Sequence, residues 1–440
     1  MGYKLKKILL RTGIIFVTFI AVLFIIRAVF NVSTGKKLEN HLEQMRAEEK
    51  PLSIKDIETQ CDPRYNAALD WKKAEASFSI EKEQRELLGK VIEELFQGRP
   101  LDPKTKETIR DLAVKNREAI NFMLEASSKS CVKYREHWDV VGYDPYLPML
   151  IKMIQGTRLL GVDAVLKAED GDVDEAVNQC LAAVKFFKLY LQEPFLINYL
   201  VDLACTKQVA VCLNTIISDS DINTETLKNI LSEWNSSPWK EGLVFAFESE
   251  KLLQCESILL YLEGEHKLDL GKGENIYYWL FRPVLKNEII CLMKTWDKLI
   301  ESAEKPYYIS RNSKDIKNVF EETPRFYKMT RALFPNIGAV LLKKATLDAM
   351  FETARIGMAC KIFKNLNGEY PETLDELSPE ILKTIPVDPF TGNPYVYRKE
   401  NSGFIVYSVG SNQKDEDGRG TLQITQMVME KDDDWTWREK

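Results

Sequence analysis

The sequence predicts a mainly α-helical protein, α+β overall. Three observations support this: an apolar segment near the N-terminus, a long stretch of 3.6-residue periodicity, and short aromatic and β-branched runs after Asn367. The composition, 45% hydrophobic and 29% charged over 440 residues, is typical of globular proteins. We divide the chain into a membrane anchor (1–35), a multi-helix body (36–336), and a long helix that carries a small antiparallel sheet (337–440).

The N-terminal segment is predicted to be a transmembrane helix. Its uncharged run, Thr12–Ile26, has 15 residues, which is short of the roughly 20 that cross a bilayer. Arg11 and Arg27 stand at its ends, where long side chains can reach the interface and extend the span. The alternative is a cleaved signal peptide. The flank Ile26–Phe30 shows no small-x-small cleavage site, which favours an anchor.

The charge distribution predicts the topology and argues against nucleic acid as a partner. Residues 1–30 hold five basic side chains and no acid, which gives them a charge of +5. Because the net charge of the chain is −6, the remaining residues carry −11. Four of the five precede the apolar run, which favours a cytoplasmic N-terminus and an extracytoplasmic body in the inner membrane. An acidic body lacks the basic face that phosphate backbones require.

The body is predicted to be a series of helices. Lys104–Ala126 has helical apolar spacing, and Asp102-Pro103 precedes it as a cap and first-turn pair. Gly171-Asp172, Ala176 and Ala183 resemble the turn and second helix of a tetratricopeptide repeat, and a plain helical hairpin is the alternative. Further predicted helices are Tyr146–Ala168, Asp172–Leu191, Leu196–Ile217, Glu241–Glu263 and Tyr277–Glu301.

The residue pattern changes after Asn367. A long helix from about Ile337 ends at Gly368-Glu369-Tyr370-Pro371, and Pro386–Pro394 forces an extended path. Tyr395–Arg398 and Phe404–Val409, separated by Asn401-Ser402-Gly403, are typical of a β-hairpin. Leu422–Met429 is a candidate third strand.

These motifs resemble a known family. From Asn367 to Trp437, "NGEYPETLDEL", "DPFTGNPYVY", "VYSVG", "KDEDG" and "DDDWTW" occur in the order found in the soluble domain of the G-type major pseudopilin of type II secretion. As a whole, the chain resembles large membrane-anchored bacterial envelope proteins with this C-terminal motif behind a helical body. The resemblance implies secretion-system or envelope proteins as partners.

The resemblance also implies a calcium site, because the family's acidic loop binds Ca²⁺ through oxygen ligands. The alternative is a solvated acidic turn that binds nothing. Position by position, the candidate ligands in this chain are Asp415, Asp417, Asp432, Asp433 and Asp434.

Two departures from the family affect the expected function. The N-terminus reads Arg11-Thr12-Gly13-Ile14 rather than the pseudopilin processing motif Gly-Phe-Thr-x-x-Glu, and the helical body at 36–336 has no pseudopilin counterpart. Polymerisation into a pseudopilus is therefore not expected.

No motif for catalysis is present in the sequence, so we predict no catalytic residues. His41, His137 and His266 are isolated, and neither a Gly-x-Ser-x-Gly elbow nor a phosphate-binding Gly-x-x-x-x-Gly-Lys loop occurs. The eight cysteines include no Cys-x-x-Cys pair; their even number permits disulfides, whose connectivity is not readable, and most are expected to be small buried side chains.

Two functions are consistent with these features. The first is a membrane-tethered extracytoplasmic scaffold or assembly protein, linked to a type II secretion or pilus-like system. The second is an envelope hydrolase with paired carboxylates, for which Glu248 and Glu256 lie two turns apart on one predicted helix.

Overall fold

The computed structural model confirms the predicted fold class: 71% of the protein is helical, with a small antiparallel sheet at the C-terminus and an apolar N-terminal helix. The structure describes residues 2–134, 147–234, 237–263, 274–313, 323–325, 327, 330–331, 336–419 and 435–439.

The helices follow one another along almost the whole described chain. Short 3₁₀ turns occur at Ile54–Ile57, Pro63–Tyr65 and Leu374–Leu377. The α-helices are α1 (Gly2–Ala47), α2 (Ala67–Ser77), α3 (Lys82–Phe96), α4 (Pro103–Lys115), α5 (Arg117–Ala126), α6 (Leu147–Glu169), α7 (Val173–Tyr190), α8 (Leu196–Asp219), α9 (Thr224–Glu233), α10 (Ser237–Glu263), α11 (Glu274–Glu304), α12 (Tyr307–Ser310) and α13 (Ile337–Asn367).

The predicted helix boundaries agree closely with α6, α7, α8 and α13. Helix α13 begins at Ile337 and stops at Gly368, whose φ of 88° is the left-handed conformation that glycine adopts most readily. Asp102 caps α4 as expected, because its carboxylate accepts the backbone N–H of Thr105 at 3.0 Å.

The prediction of one helix over Lys104–Ala126 was wrong. The chain breaks at Asn116, which separates α4 from α5. The buried Asn116 amide binds the backbone of Ser79: Oδ1 accepts its N–H at 2.7 Å, and Nδ2 donates to its carbonyl at 3.3 Å. Asn side chains that bind backbone groups compete with the helix, and sequence periodicity does not show such a long-range bond.

The sheet has three antiparallel strands, β1 (Val396–Lys399), β2 (Phe404–Ser408) and β3 (Trp435–Glu439), in the order β1-β2-β3. The β1–β2 pair confirms the predicted hairpin, with Val396 opposite Tyr407. The predicted strand at Leu422–Met429 lies outside the described residues. The strand that pairs with β2 is β3, where the sequence suggested only the end of an Asp-rich run.

By its contacts, the chain divides into two compact units. Unit 1 comprises Met1–Glu58, Glu250–Lys298 and Asn318–Pro335; unit 2 comprises Thr59–Ser249, Leu299–Lys317 and Asn336–Lys440. The units are interleaved along the chain because contacts, rather than chain order, define them. The division predicted at 35 and 336 stays a prediction.

Unit 2 is built around α8. Helices α6, α7 and α8 pack against one another, α3 packs on α6 and α8, and α13 packs on α8, α9 and the sheet. Gly161 on α6 faces Cys212 on α8, whose Sγ lies 2.8 Å from the position a Cβ at Gly161 would occupy. Trp234 and Trp239 contact Phe351 of α13, with ring centroids 4.3 and 4.7 Å away. These three aromatic side chains pack against one another in the core of unit 2.

Unit 1 is held by polar side chains as well as apolar ones. Trp296 Nε1 donates to Gln254 Oε1 at 3.0 Å, and the buried Lys251 lies 3.1 Å from Asp297. Helix α1 belongs to this unit, and Thr34 and Leu38 in its C-terminal half are buried.

Candidate functional site

Helix α1 has two parts with different surroundings. From Ile8 to Phe30 its large apolar side chains are exposed. Beyond Asn31 the helix is anchored in unit 1, where Lys286 Nζ donates to the Asn31 carbonyl at 3.3 Å. Exposure of so many apolar side chains to water is unfavourable, so the first part requires an apolar environment.

Two described helices are long and apolar enough to cross a membrane. In the first, Ile8–Ala47, the most apolar 18 residues have a mean hydropathy of 2.7, and none of them is buried. In the second, α8 (Leu196–Asp219), the most apolar 18 residues have a mean hydropathy of 1.4, and 72% of them are buried, as expected of a core helix. An apolar helix at the N-terminus fits both a membrane anchor and a signal sequence.

A disulfide joins Cys61 to Cys131, 70 residues apart in the chain, with a Cα–Cα distance of 5.7 Å. The adjacent residues support this pairing: Asn66 forms a parallel bridge with Cys131, and its Oδ1 accepts the N–H of Lys133 at 2.9 Å. The bond therefore closes the segment that contains α2 to α5. The sequence could not assign this pair, because the two cysteines meet only through the packing of α2 on α5.

The remaining cysteines are free thiols, and most are buried, as predicted. Burial raises the pKa of the Cys180 and Cys255 thiols to about 12, which suppresses the reactive thiolate. They act as small apolar side chains in the core. The free cysteines are Cys180, Cys205, Cys212, Cys255, Cys291 and Cys360.

The acidic loop after β2 brings together two of the five predicted calcium ligands. Asp415 Oδ1 accepts the Tyr407 hydroxyl at 2.7 Å and the Asp417 N–H at 2.9 Å. The Tyr407 hydrogen bond, followed by that from the backbone, lowers the pKa of Asp415. Asp417, at φ 59°, lies 3.0 Å from Arg398 and is exposed. Both carboxylates are accessible, although Asp417 already has two cationic neighbours, Arg398 and Arg419.

The other three predicted ligands, Asp432, Asp433 and Asp434, lie outside the described residues. Within the described part of the chain, no group of three or more His, Cys, Asp or Glu side chains is arranged to hold a metal ion. Thr436 of β3 donates to the Gly418 carbonyl at 3.0 Å and so connects the start of β3 to the loop. The calcium site stays a prediction.

The Asp-Pro-aromatic motif has a structural role in this chain. Asp388 is buried; its Oδ1 accepts the N–H of Phe390 at 2.7 Å, and its Oδ2 accepts the N–H of Val409 at 3.0 Å. Gln413 Nε2 donates to the Phe390 carbonyl at 2.6 Å, which connects this loop to the acidic loop. Burial raises the pKa of Asp388. The motif thus fixes the loop before β1 against the end of β2.

Sequence analysis missed the carboxylates that lie inside unit 2. On α13, Asp348 lies 2.6 Å from Lys344, and Glu352 lies 2.6 Å from Arg355. Burial raises the pKa of Asp348 to about 6. Burial, and after it the charge of Glu352, raises the pKa of Tyr395. The Tyr395 hydroxyl has no hydrogen-bond partner among the described residues. Sequence spacing at i, i+4 and i, i+3 is the signal that could have identified the two ion pairs.

Asp202 on α8 is fully buried and links this helix to α10. Its Oδ2 accepts Trp239 Nε1 at 3.0 Å, and Tyr199 donates to the Trp239 carbonyl at 3.1 Å. Burial raises the pKa of Asp202 well above its usual value. Its place in the core, with its carboxyl bonded to an indole, gives Asp202 a structural role.

Of the two acids suggested for a hydrolase, Glu256 has a structural partner, because its Oε2 accepts the N–H of Ile54 at 3.2 Å.

Comparison with known proteins adds no further assignment: no protein-family profile, curated protein or solved structure matches this chain.

Proposed function

We propose that this protein is a membrane-tethered scaffold or assembly protein, with a single span in the bacterial inner membrane and an extracytoplasmic body. We propose further that it associates with a type II secretion or pilus-like system. The observation that carries the proposal is a disulfide in the body behind an exposed apolar helix. Structural disulfides persist in oxidising compartments and are rare in the cytosol.

The charge distribution supports the same orientation. Lys4, Lys6, Lys7 and Arg11 precede the apolar run, whereas the basic residues after it are soon mixed with acids. The body that follows is mainly helical, and most of its free thiols are buried and unreactive, which suits a structural role. The link to a secretion machine rests on the resemblance of the C-terminal module, and fold by itself does not imply function.

Thiol counting tests the topology. Membranes are solubilised in denaturant with a maleimide, before and after reduction, and the labelled full-length chain is weighed by mass spectrometry. We expect six labels before reduction and eight after it, since Cys61 and Cys131 are paired. A Cys61→Ser variant should gain one label before reduction. Eight labels without reduction would place the body in a reducing compartment and contradict the proposal.

Crosslinking tests the role. The full chain is crosslinked in native membranes, purified in mild detergent and analysed by mass spectrometry. Crosslinks from residues 367–419 to secretion or pilus-assembly proteins would support the assembly function. Recovery of the chain alone, or of envelope proteins unrelated to secretion, would leave no basis for the link to a secretion system.

A further inference from the structure

Helices α1 and α11 of unit 1 run beside each other in the same direction. Near the start of α11, Lys286 Nζ donates to the Asn31 carbonyl of α1 at 3.3 Å. Farther along both helices, burial, and after it the charge of Lys294, lowers the pKa of His41. Because the residue numbers of these contacts rise together along the two helices, the turns of α11 that precede Lys286 extend towards the apolar part of α1.

The exposure of α1 changes along this apolar part. From Ile8 to Phe19 the large apolar side chains are 59–68% exposed, whereas Ile20 is 36% exposed and Leu23 is 48% exposed. Ile20, Leu23 and the half-buried Arg27 follow one another at intervals of three and four residues, which places them on one face of the helix. One face of α1 is therefore partly covered before the apolar part ends.

Basic side chains of both helices lie where the apolar part of α1 ends. Arg282 precedes Lys286 by one turn, and Arg27 precedes Asn31 by one turn, so the two arginines lie at about the same level. Arg282 is exposed, and its Nη2 donates to the Leu262 carbonyl at the end of α10. Burial, and after it the charge of Arg282, lowers the pKa of Lys286. In the described part of the chain, neither Arg282 nor Lys286 forms an ion pair, so this positive charge is uncompensated.

We propose that this end of unit 1 lies on the membrane surface and binds the headgroups of anionic phospholipids through Arg27, Arg282 and Lys286. The inference rests on the proposed membrane tether. The exposed apolar side chains of α1 continue to Phe30, so a bilayer around them brings its headgroups to the level of these cations. Basic side chains beside a membrane span attract anionic lipids. The sequence of the first turns of α11, Ile276–Phe281, is apolar and aromatic, as is typical of the membrane interface.

Hydrogen–deuterium exchange of the full-length protein in nanodiscs tests the proposal, with discs of phosphatidylcholine alone or mixed with phosphatidylglycerol. The first N–H groups of a helix have no partner within it, so the first turn of α11 reports on access of water. We expect these amides to exchange severalfold more slowly in the discs that contain phosphatidylglycerol. The amides of α8, in the core of unit 2, should exchange equally in all samples and so report on folding.

Two double variants separate the basic cluster from charge in general. Arg282→Gln/Lys286→Gln should exchange equally in both kinds of disc, because glutamine keeps an N–H donor for the carbonyls but has no charge. Lys294→Gln/Lys298→Gln is the control, because it removes two exposed basic side chains about three turns farther along α11. The control variant should keep the wild-type difference between the discs.

The wild-type comparison requires no substitution, so it decides the proposal even if a variant folds poorly. Equal wild-type exchange in both kinds of disc overturns the inference, as does a difference that persists in Arg282→Gln/Lys286→Gln. In either case the membrane tether stands if the protein enters the discs. Failure to enter them contradicts the tether and the inference together. Slower exchange with inorganic phosphate in detergent would identify a soluble anion as the ligand and would also overturn the inference.

Discussion

The indole of Trp437 lies against Gly357: its Cδ2 is 2.6 Å from the position that a Cβ on this glycine would occupy. Trp437 stands on β3 and Gly357 in the middle of α13, so this contact sets how closely the sheet approaches the long helix. Without a side chain at 357, the buried Trp437 can reach the helix backbone.

The first prediction concerns this contact. Gly357→Ala should lower the free energy of unfolding by about 1–3 kcal/mol, because the added methyl overlaps an indole that cannot move without displacing β3. Urea unfolding of the full-length protein in detergent measures it. Gly338→Ala on the same helix is the control; its nearest neighbour is 3.6 Å away, so it should be neutral or slightly stabilising. Equal effects of the two substitutions would show that Trp437 does not pack here.

The second prediction concerns the disulfide. Removing it by Cys61→Ser should cost about 2–4 kcal/mol of stability, since a crosslink over 70 residues restricts the unfolded chain. Cys131→Ser and the double variant should lose the same amount as Cys61→Ser, because all three lack one bond. Thermal melting with and without reductant measures the loss, and Cys291→Ser is the control for a free thiol. If reductant left the wild-type melting temperature unchanged, the pairing would be refuted.

The third prediction is a pH dependence from Asp348. Burial raises its pKa to about 6, whereas an unfolded chain holds aspartate near about 4. The folded state therefore keeps a proton between these values that the unfolded state has lost. This contribution to stability is full below about pH 4 and is lost as the pH rises through about 6.

We therefore expect Asp348→Asn to gain stability relative to wild type between about pH 4 and 7, by roughly 1–3 kcal/mol. Melting temperatures over this range measure the difference. Asp111→Asn, at an exposed carboxylate of α4, is the control for the loss of a carboxylate elsewhere in the protein. A constant offset for Asp348→Asn would mean that this carboxyl is ionised throughout.

The fourth prediction concerns the acidic loop. Millimolar Ca²⁺ should raise the melting temperature of the full-length protein, and an Asp415→Asn/Asp417→Asn variant should lose the shift because calcium requires charged oxygens. Arg398→Gln should enlarge the shift, since it removes the shorter of the two ion pairs of the Asp417 carboxylate; the other is with Arg419, at 3.9 Å. Asp375→Asn, an exposed carboxylate outside the loop, is the control. No shift at millimolar calcium would leave the loop as a solvated turn.

Local signals determined much of the fold. The period of apolar residues predicted helices α6 to α8 within a few residues, and Gly368 marked the end of α13 because a left-handed residue stops a helix there. The hairpin β1–β2 followed from two runs of aromatic and β-branched residues around a short turn. These features depend on residues close in sequence, so reading along the chain is sufficient for them.

Contacts between distant residues decided the rest. The break at Asn116 depends on the backbone of Ser79, and the disulfide depends on two cysteines that meet only when α2 packs on α5. The sequence by itself determined the apolar N-terminal helix, the helical body and the hairpin. Only the tertiary structure decided which cysteines pair, which charges are compensated and where β3 joins the sheet, because these depend on distances between segments that periodicity does not encode.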